Sequence, residues 1–213
     1  MKKVWLAGTL TAGFAALMSL VGTHSGGIAA PTTGLGNSKA IENASFYEVS
    51  GASLEELRTD VYARGPYDRH KGQRYAGWAE WRIEWRFERD MGPKGCAISD
   101  ATTETHVDYT LPRWADAHRA PPEAQESWNQ FIKALTLHEE GHGQLARELA
   151  QRIEVALRSL PPEHTCTALD QTANGLARRM IAEDKTQEEY DRLTGHGHTQ
   201  GAAFPAILVR ADP

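Results

Sequence analysis

Within the stretch 78–88, residues 81–88 alternate without a miss. Trp81, Ile83, Trp85 and Phe87 are interleaved with Arg82, Glu84, Arg86 and Glu88. A period of two predicts a strand with one aromatic, buried face and one charged, solvated face. A stripe of tryptophans is either a ligand platform or core, and we read it as core. Met91-Gly92-Pro93-Lys94-Gly95 predicts a turn, and the Thr-rich stretch 97–111 a second, antiparallel strand that Pro112 should stop. Upstream, a short strand is expected over 45–51. Ser53 with Glu56 three residues on reads as an N-cap with a capping box, opening a helix that ends near Gly65-Pro66. The polar stretch 67–74 reads as loop.

From Pro121 the period changes. Trp128, Phe131, Ile132, Leu135, His138 and His142 recur at three- and four-residue steps, and Leu145, Leu149, Ile153 and Leu157 continue them to Pro161-Pro162. One long helix, or two in tandem, follows, with Pro121-Pro122 suited to its first turn. Residues 165–193, with Leu169, Leu176, Met180 and Ile181 inside, predict another helix. The tail from Thr194 is rich in glycine early on and reads as loop.

The N-terminus has a different character. Lys2 and Lys3 precede a weakly polar run over 4–21 and then Gly26-Gly27-Ile28-Ala29-Ala30-Pro31, the layout of an export signal. Residues 1–30 are therefore assigned as an export signal, or as an N-terminal anchor if cleavage fails. Residues 31–43 form a linker and 44–213 a single domain. Either way the chain is expected outside the cytoplasm, secreted or periplasmic. Two cysteines, Cys96 and Cys166, in an exported chain are expected to pair. The composition, 40% apolar and 24% charged, is that of an ordinary globular protein. A net charge of −5 with no dominant basic patch argues against a nucleic-acid partner.

The chemistry lies in His138-Glu139-Glu140-Gly141-His142, an H-E-x-x-H inside the strongest helical stretch. Residues four apart on a helix share a face, so two imidazoles can hold one Zn2+. Glu139 can reach water at that metal and act as general base. The two histidines continue the apolar stripe rather than the polar face. Gly141 and Gly143 flank His142, although glycine inside a helix costs about 1 kcal/mol relative to alanine. Something is therefore expected to approach the helix closely there.

A catalytic zinc takes three protein ligands and keeps a position open. The helix extends about 26 Å beyond His142 before the proline turn. An antiparallel return would bring Glu183, Asp184 or Glu188 to the level of the motif. The segment just past that helix, from Tyr190 and Asp191 to His196 and His198, is the other source, with glycines on both sides of His196 letting it fold back. Tyr190 is read either as packed at a helix end or as a donor to an oxyanion.

Trp78, Trp81 and Trp85, Cys96, Leu111-Pro112, the H-E-x-x-H at 138–142, Cys166 and a closing Y-D-x-x-T-x-H-G-x-x-Q-G-A at 190–202 follow one another in an order that resembles a bacterial family of predicted secreted zinc-dependent proteases. The resemblance covers most of 45–205. It implies a zincin-like fold and favours His196 as the third ligand, since that histidine belongs to the closing motif. The expectation is thus an α+β domain, a small antiparallel sheet on two long helices with the H-E-x-x-H on the first. Its sites are His138, His142 and His196 for zinc, Glu139 for catalysis, and Cys96 with Cys166 for the disulfide. The expected function is a monomeric zinc metalloprotease acting on a peptide or protein substrate. It would meet a membrane only through an uncleaved N-terminus. The alternatives are a zinc amidase acting on cell-wall peptide and a non-catalytic zinc-containing envelope binding protein.

Overall fold

The computed structural model describes residues 6–13 and 38–204. The strands are β1 (Leu6–Gly13), β2 (Lys39–Val49), the two-residue pair β3 (Tyr67–Asp68) and β4 (Gln73–Arg74), β5 (Trp78–Gly92) and β6 (Gly95–Trp114). The helices are α1 (Leu54–Arg64), α2 (Pro122–Arg158), α3 (Cys166–Glu183) and α4 (Thr186–Thr194). The molecule is α+β: a four-stranded sheet in the order β1-β5-β6-β2, with helices α2 and α3 against one face. Apart from β1, the export-signal assignment falls outside the described residues. No helix among the described residues is long and apolar enough to cross a membrane.

The β5–β6 hairpin is the strongest local consequence of the sequence. The inward residues of β5 meet small or β-branched partners on β6: Trp81 faces Val107, Ile83 faces Thr105, Trp85 faces Thr103 and Phe87 faces Ala101. Large against small lets the inner face fill without gaps. All four β5 side chains are buried, so the aromatic stripe is core. The indole of Trp85 donates to Asn174 Oδ1 at 2.8 Å, which ties the sheet to α3 and satisfies the one polar atom the ring carries inside.

Several expectations need correction. Pro112 does not stop β6, which runs on to Trp114. Pairing with β5 begins only at Trp78 opposite Thr110, so beyond that point β6 has β2 alone for a neighbour, and a missing N–H is tolerated on such an edge. The sheet is not wholly antiparallel. β2 starts at Lys39, inside the stretch expected as linker, and pairs parallel to β6 because α1 and the β3–β4 segment carry the chain across before β5 begins. Residues 67–74 contain the short β3–β4 ladder rather than loop alone. Where one helix was expected over 165–193 there are two. Asp184 leaves helical geometry, pairs with Arg152 at 2.6 Å, and accepts from the Thr186 hydroxyl, so the chain restarts as α4 at a new angle.

Helix α2 is continuous for 37 residues despite its internal glycines. Its buried stripe runs Trp128, Phe131, Leu135, His138, Glu139, His142, Ala146, Leu149, Ile153 and Leu157. Ser53 caps α1 as expected, accepting from the Glu56 amide, while the Glu56 carboxylate reaches back to the Ala52 amide at 2.6 Å. Cys96 at the start of β6 and Cys166 at the start of α3 form a disulfide. Exchange of backbone hydrogen bonds between Cys96 and Glu163 sits beside it.

The bridge closes a loop with a sequence separation of 70. Replacing both cysteines by serine is expected to lower the unfolding free energy by about 4 kcal/mol, the loss in chain entropy for such a loop, as read from urea denaturation under oxidising conditions.

Candidate metal centre

Three polar residues interrupt the apolar stripe of α2 at its middle. His138, Glu139 and His142 are each less than 5% exposed. Buried polar groups need partners, and here they converge: donor atoms of the three lie within 4.8 Å of one another, a buried group with the chemistry to hold a metal ion. Helix α4 faces them. Asp191, itself buried, places Oδ1 3.2 Å from His142 Nε2 and 3.4 Å from His138 Nε2.

The outer nitrogens of both imidazoles are held by glutamines. His142 Nδ1 meets Gln187 Oε1 at 2.5 Å, and Gln187 Nε2 donates to the His142 carbonyl at 3.1 Å. His138 Nδ1 meets Gln200 Oε1 at 2.9 Å, and Gln200 Nε2 reaches the Tyr190 hydroxyl at 3.0 Å. Each amide nitrogen is thus committed elsewhere, so each amide oxygen must face the ring, and each ring must donate from Nδ1. Each Nε2 then faces the Asp191 carboxylate, at 3.2 and 3.4 Å, and the pairing calls for positive charge between them, either ring protons or a metal ion.

The electrostatics agree. Burial pushes the Glu139 carboxyl well above the ordinary carboxylate range, and the charge of Asp191 pushes it further the same way. Burial also acts to raise Asp191, but hydrogen bonds from His138 and His142 outweigh it and hold that carboxyl below the usual range. Glu154, about four turns further along α2 and equally buried, makes the contrast: it pairs with Arg158 at 2.9 Å and accepts from Thr103. One buried carboxylate is neutralised by an arginine. The other faces a second carboxylate.

Both glycines of the motif have a structural cause. A Cβ on Gly141 would lie 2.2 Å from the Tyr190 hydroxyl, and one on Gly143 2.1 Å from that of Tyr109. Tyr190 uses the room to stack on the His138 ring, with centroids 5.1 Å apart and planes within 9°, while presenting its edge to His142. Over the other side lies Gly77, just before β5, whose own Cβ would come within 2.9 Å of Glu139 Oε1. The Tyr47 hydroxyl holds this segment by donating to the Ala76 carbonyl at 2.7 Å. Beyond Tyr190 an open groove of about 720 Å3 continues between α2 and α4, lined by Leu145, Leu149, Met180 and Leu193 among others.

The structure therefore brings His138, Glu139 and His142 together and adds Asp191. It does not bring His196 into the buried group. That ring stands at the rim, its side chain 51% exposed, with Nδ1 3.2 Å from Asp191 Oδ2. The reason is the backbone: Gly195, His196 and Gly197 take three successive left-handed conformations, which turn the chain sharply and send the His196 ring outward. Gly197 is the residue that approaches His138, a Cβ there meeting its Cγ at 2.8 Å. Glu183 and Glu188 are exposed, and Asp184 serves Arg152, so none of the three acidic candidates of the returning helix lines the centre. Gln187 and Gln200 are the residues that sequence reasoning missed. The only sign of Gln200 was its place in the closing motif, and the sequence carried no signal for Gln187.

Fold and site together define a class: an α+β protein with a buried histidine–glutamate–histidine group at the middle of one long helix. Residues 44–197 match the family described as bacterial protein of unknown function (DUF922), and the chain belongs to it. No curated protein and no solved structure matches the chain.

Gly141→Ala is expected to force Tyr190 off its place and to cost about 1–3 kcal/mol by overpacking, measured by thermal unfolding. Combining it with Tyr190→Leu should recover part of that loss; a fully additive pair would show that the two do not touch.

Proposed function

We propose that the protein is an exported zinc-dependent peptidase in which His138, His142 and Asp191 hold Zn2+ and Glu139 is the general base. The observation that carries this reading is the approach of Asp191 Oδ1 to both Nε2 atoms, at 3.2 and 3.4 Å. Two ligands of one tetrahedral zinc, each about 2.0–2.1 Å from the ion, are about 3.3–3.4 Å apart. Two imidazoles and one carboxylate form a donor set that suits zinc and leaves a fourth position for substrate and water. The two glutamines fix the tautomer and the ring planes, which is what ligating histidines require of their surroundings. An export-signal pattern in residues 1–30 and the disulfide support the compartment.

Zinc, when bound, supplies Lewis acidity towards a carbonyl and towards water. Glu139 does the proton work. Its carboxylate takes a proton from the attacking water and returns it to the leaving amide nitrogen. The dry site and Asp191 both raise the proton affinity of Glu139, and a bound divalent charge would oppose both effects. His196 positions Asp191 from outside through its Nδ1 contact. Tyr190 holds the His138 ring plane by stacking.

Metal analysis of the purified protein is expected to give one equivalent of zinc. His138→Ala, His142→Ala and Asp191→Ala should lose it, and His196→Ala should keep it. Loss in His196→Ala with retention in Asp191→Ala would return the third position to the histidine. Gln187→Leu is expected to weaken zinc affinity by about 10–100-fold through the freed His142 ring. Glu139→Gln should keep the metal and lower peptide hydrolysis by about 10²–10⁴-fold. Full function in that variant would mark a binding protein, and hydrolysis of cell-wall peptide amides alone would mark an amidase.

A further inference from the structure

Helix α4 carries its polar face inward. Its buried residues are Gln187, Asp191 and Thr194, which share one face at steps of four and three. Of its two apolar side chains, Leu193 is 62% exposed and Tyr190 stacks on the His138 ring. By contrast α1 buries Leu57 and Val61, and α3 buries Leu169, Ala173, Ala177 and Ile181. A helix of nine residues with no apolar face gains little by leaving water. What the buried face of α4 meets on α2 is the metal centre. Gln187 bonds the ring and the carbonyl of His142, Asp191 reaches both rings, and Thr194 Oγ1 stands 3.5 Å from His138 Nδ1.

The two ends of this segment are held elsewhere. Upstream, Ile181 lies in the core and Asp184 pairs with Arg152. Downstream, Phe204 packs on Phe131 with ring centroids 4.9 Å apart. Between these anchors the chain leaves helical geometry twice, at Asp184–Lys185 and through the left-handed run from Gly195 to Gly197. Residues at the ends of elements are where a hinge absorbs its rotation. The centre also needs a route in. His138, His142 and Asp191 are all buried, so loading asks part of the wall to move, and α4 is the part with no buried apolar side chain.

We propose that α4 is a metal-dependent clasp: it docks on α2 when Asp191 and the two histidines share a zinc ion, and without the ion residues 185–201 swing away while the sheet, α2 and α3 stand. The proposal rests on the zinc assignment of the peptidase reading and not on the cut. Without a cation, docking buries a carboxylate against two ring nitrogens, and the polar face of α4 is better served by water. With a shared cation the balance reverses, because its ligands come from both helices. In the open form His138 and His142, four residues apart on α2, present a first pair of ligands, and Asp191 closes over them as the third. Gln187, Tyr190 and Asp191 then meet the centre only in the loaded protein, so the unloaded chain has no assembled site.

Amide hydrogen exchange on the purified protein, loaded with zinc or stripped by a chelator, tests this at mildly alkaline pH, where a free imidazole is neutral. Stripping is expected to speed exchange at residues 186–200 by at least about tenfold, with 97–111 and 145–158 unchanged as controls for the fold. Zinc added back should restore the slow rates. Asp191→Asn is the second variant. Its amide nitrogen donates to a ring nitrogen and its side chain carries no charge, so α4 should stay protected with or without zinc. Exchange at 186–200 that ignores zinc in the wild type overturns the proposal. So does a loss of protection that spreads over 97–111 and 145–158, or release of α4 in Asp191→Asn to the level of the stripped wild type. None of these readings depends on turnover. Protection that follows zinc in a protein that cuts no peptide keeps the clasp and removes the peptidase, whereas zinc-dependent hydrolysis with protection indifferent to zinc does the reverse.

Discussion

Two imidazole nitrogens aimed at one buried carboxylate are the constraint around which the rest of the structure is arranged. Gln187 and Gln200 fix the rings so that Nε2 of each faces Asp191, and neither ring can turn away without breaking a hydrogen bond inside the protein. Such an arrangement is unfavourable by itself and becomes favourable with positive charge at its centre. The glycines of α2, the stacked Tyr190 and the left-handed turn after α4 all serve to bring these groups close.

Helix α2 makes the point by its own contrast. It buries two carboxylates along one stripe. Glu154 is matched by Arg158 and Thr103 and reads as part of the scaffold. Glu139 has Gly77 and Asp191 as neighbours instead, and its proton affinity is raised by both dryness and like charge. A chain selected for stability alone would place an apolar residue there. The aromatic sheet, the disulfide and the indole of Trp85 supply the rigidity that holds such a group in position.

The closing segment shows how backbone conformation decides chemistry. His196 carries a side chain at φ +54°, a region that disfavours Cβ, and is flanked by Gly195 at +57° and Gly197 at +80°. The turn brings Gly197 against the His138 ring and Gln200 to its Nδ1, while His196 itself is carried to the rim beside Asp191. In sequence the metal-like feature of the segment is its histidine. In space, its glycine and glutamine do the close work.

The sequence by itself determined what depends on neighbours along the chain. Alternation over 78–88 specified the strand and its buried face, the three-to-four spacing specified α2, Ser53 and Glu56 specified the start of α1, and His138, Glu139 and His142 were legible because four residues along a helix span one face. Gly141 and Gly143 announced a close approach without saying of what. Only the tertiary structure decided that β2 joins parallel to β6, that Asp184 breaks the last helical stretch into α3 and α4, and that Asp191 rather than the ring of His196 meets the two histidines. Each of these turns on the angle at which a distant element returns, and local periodicity holds no record of that angle.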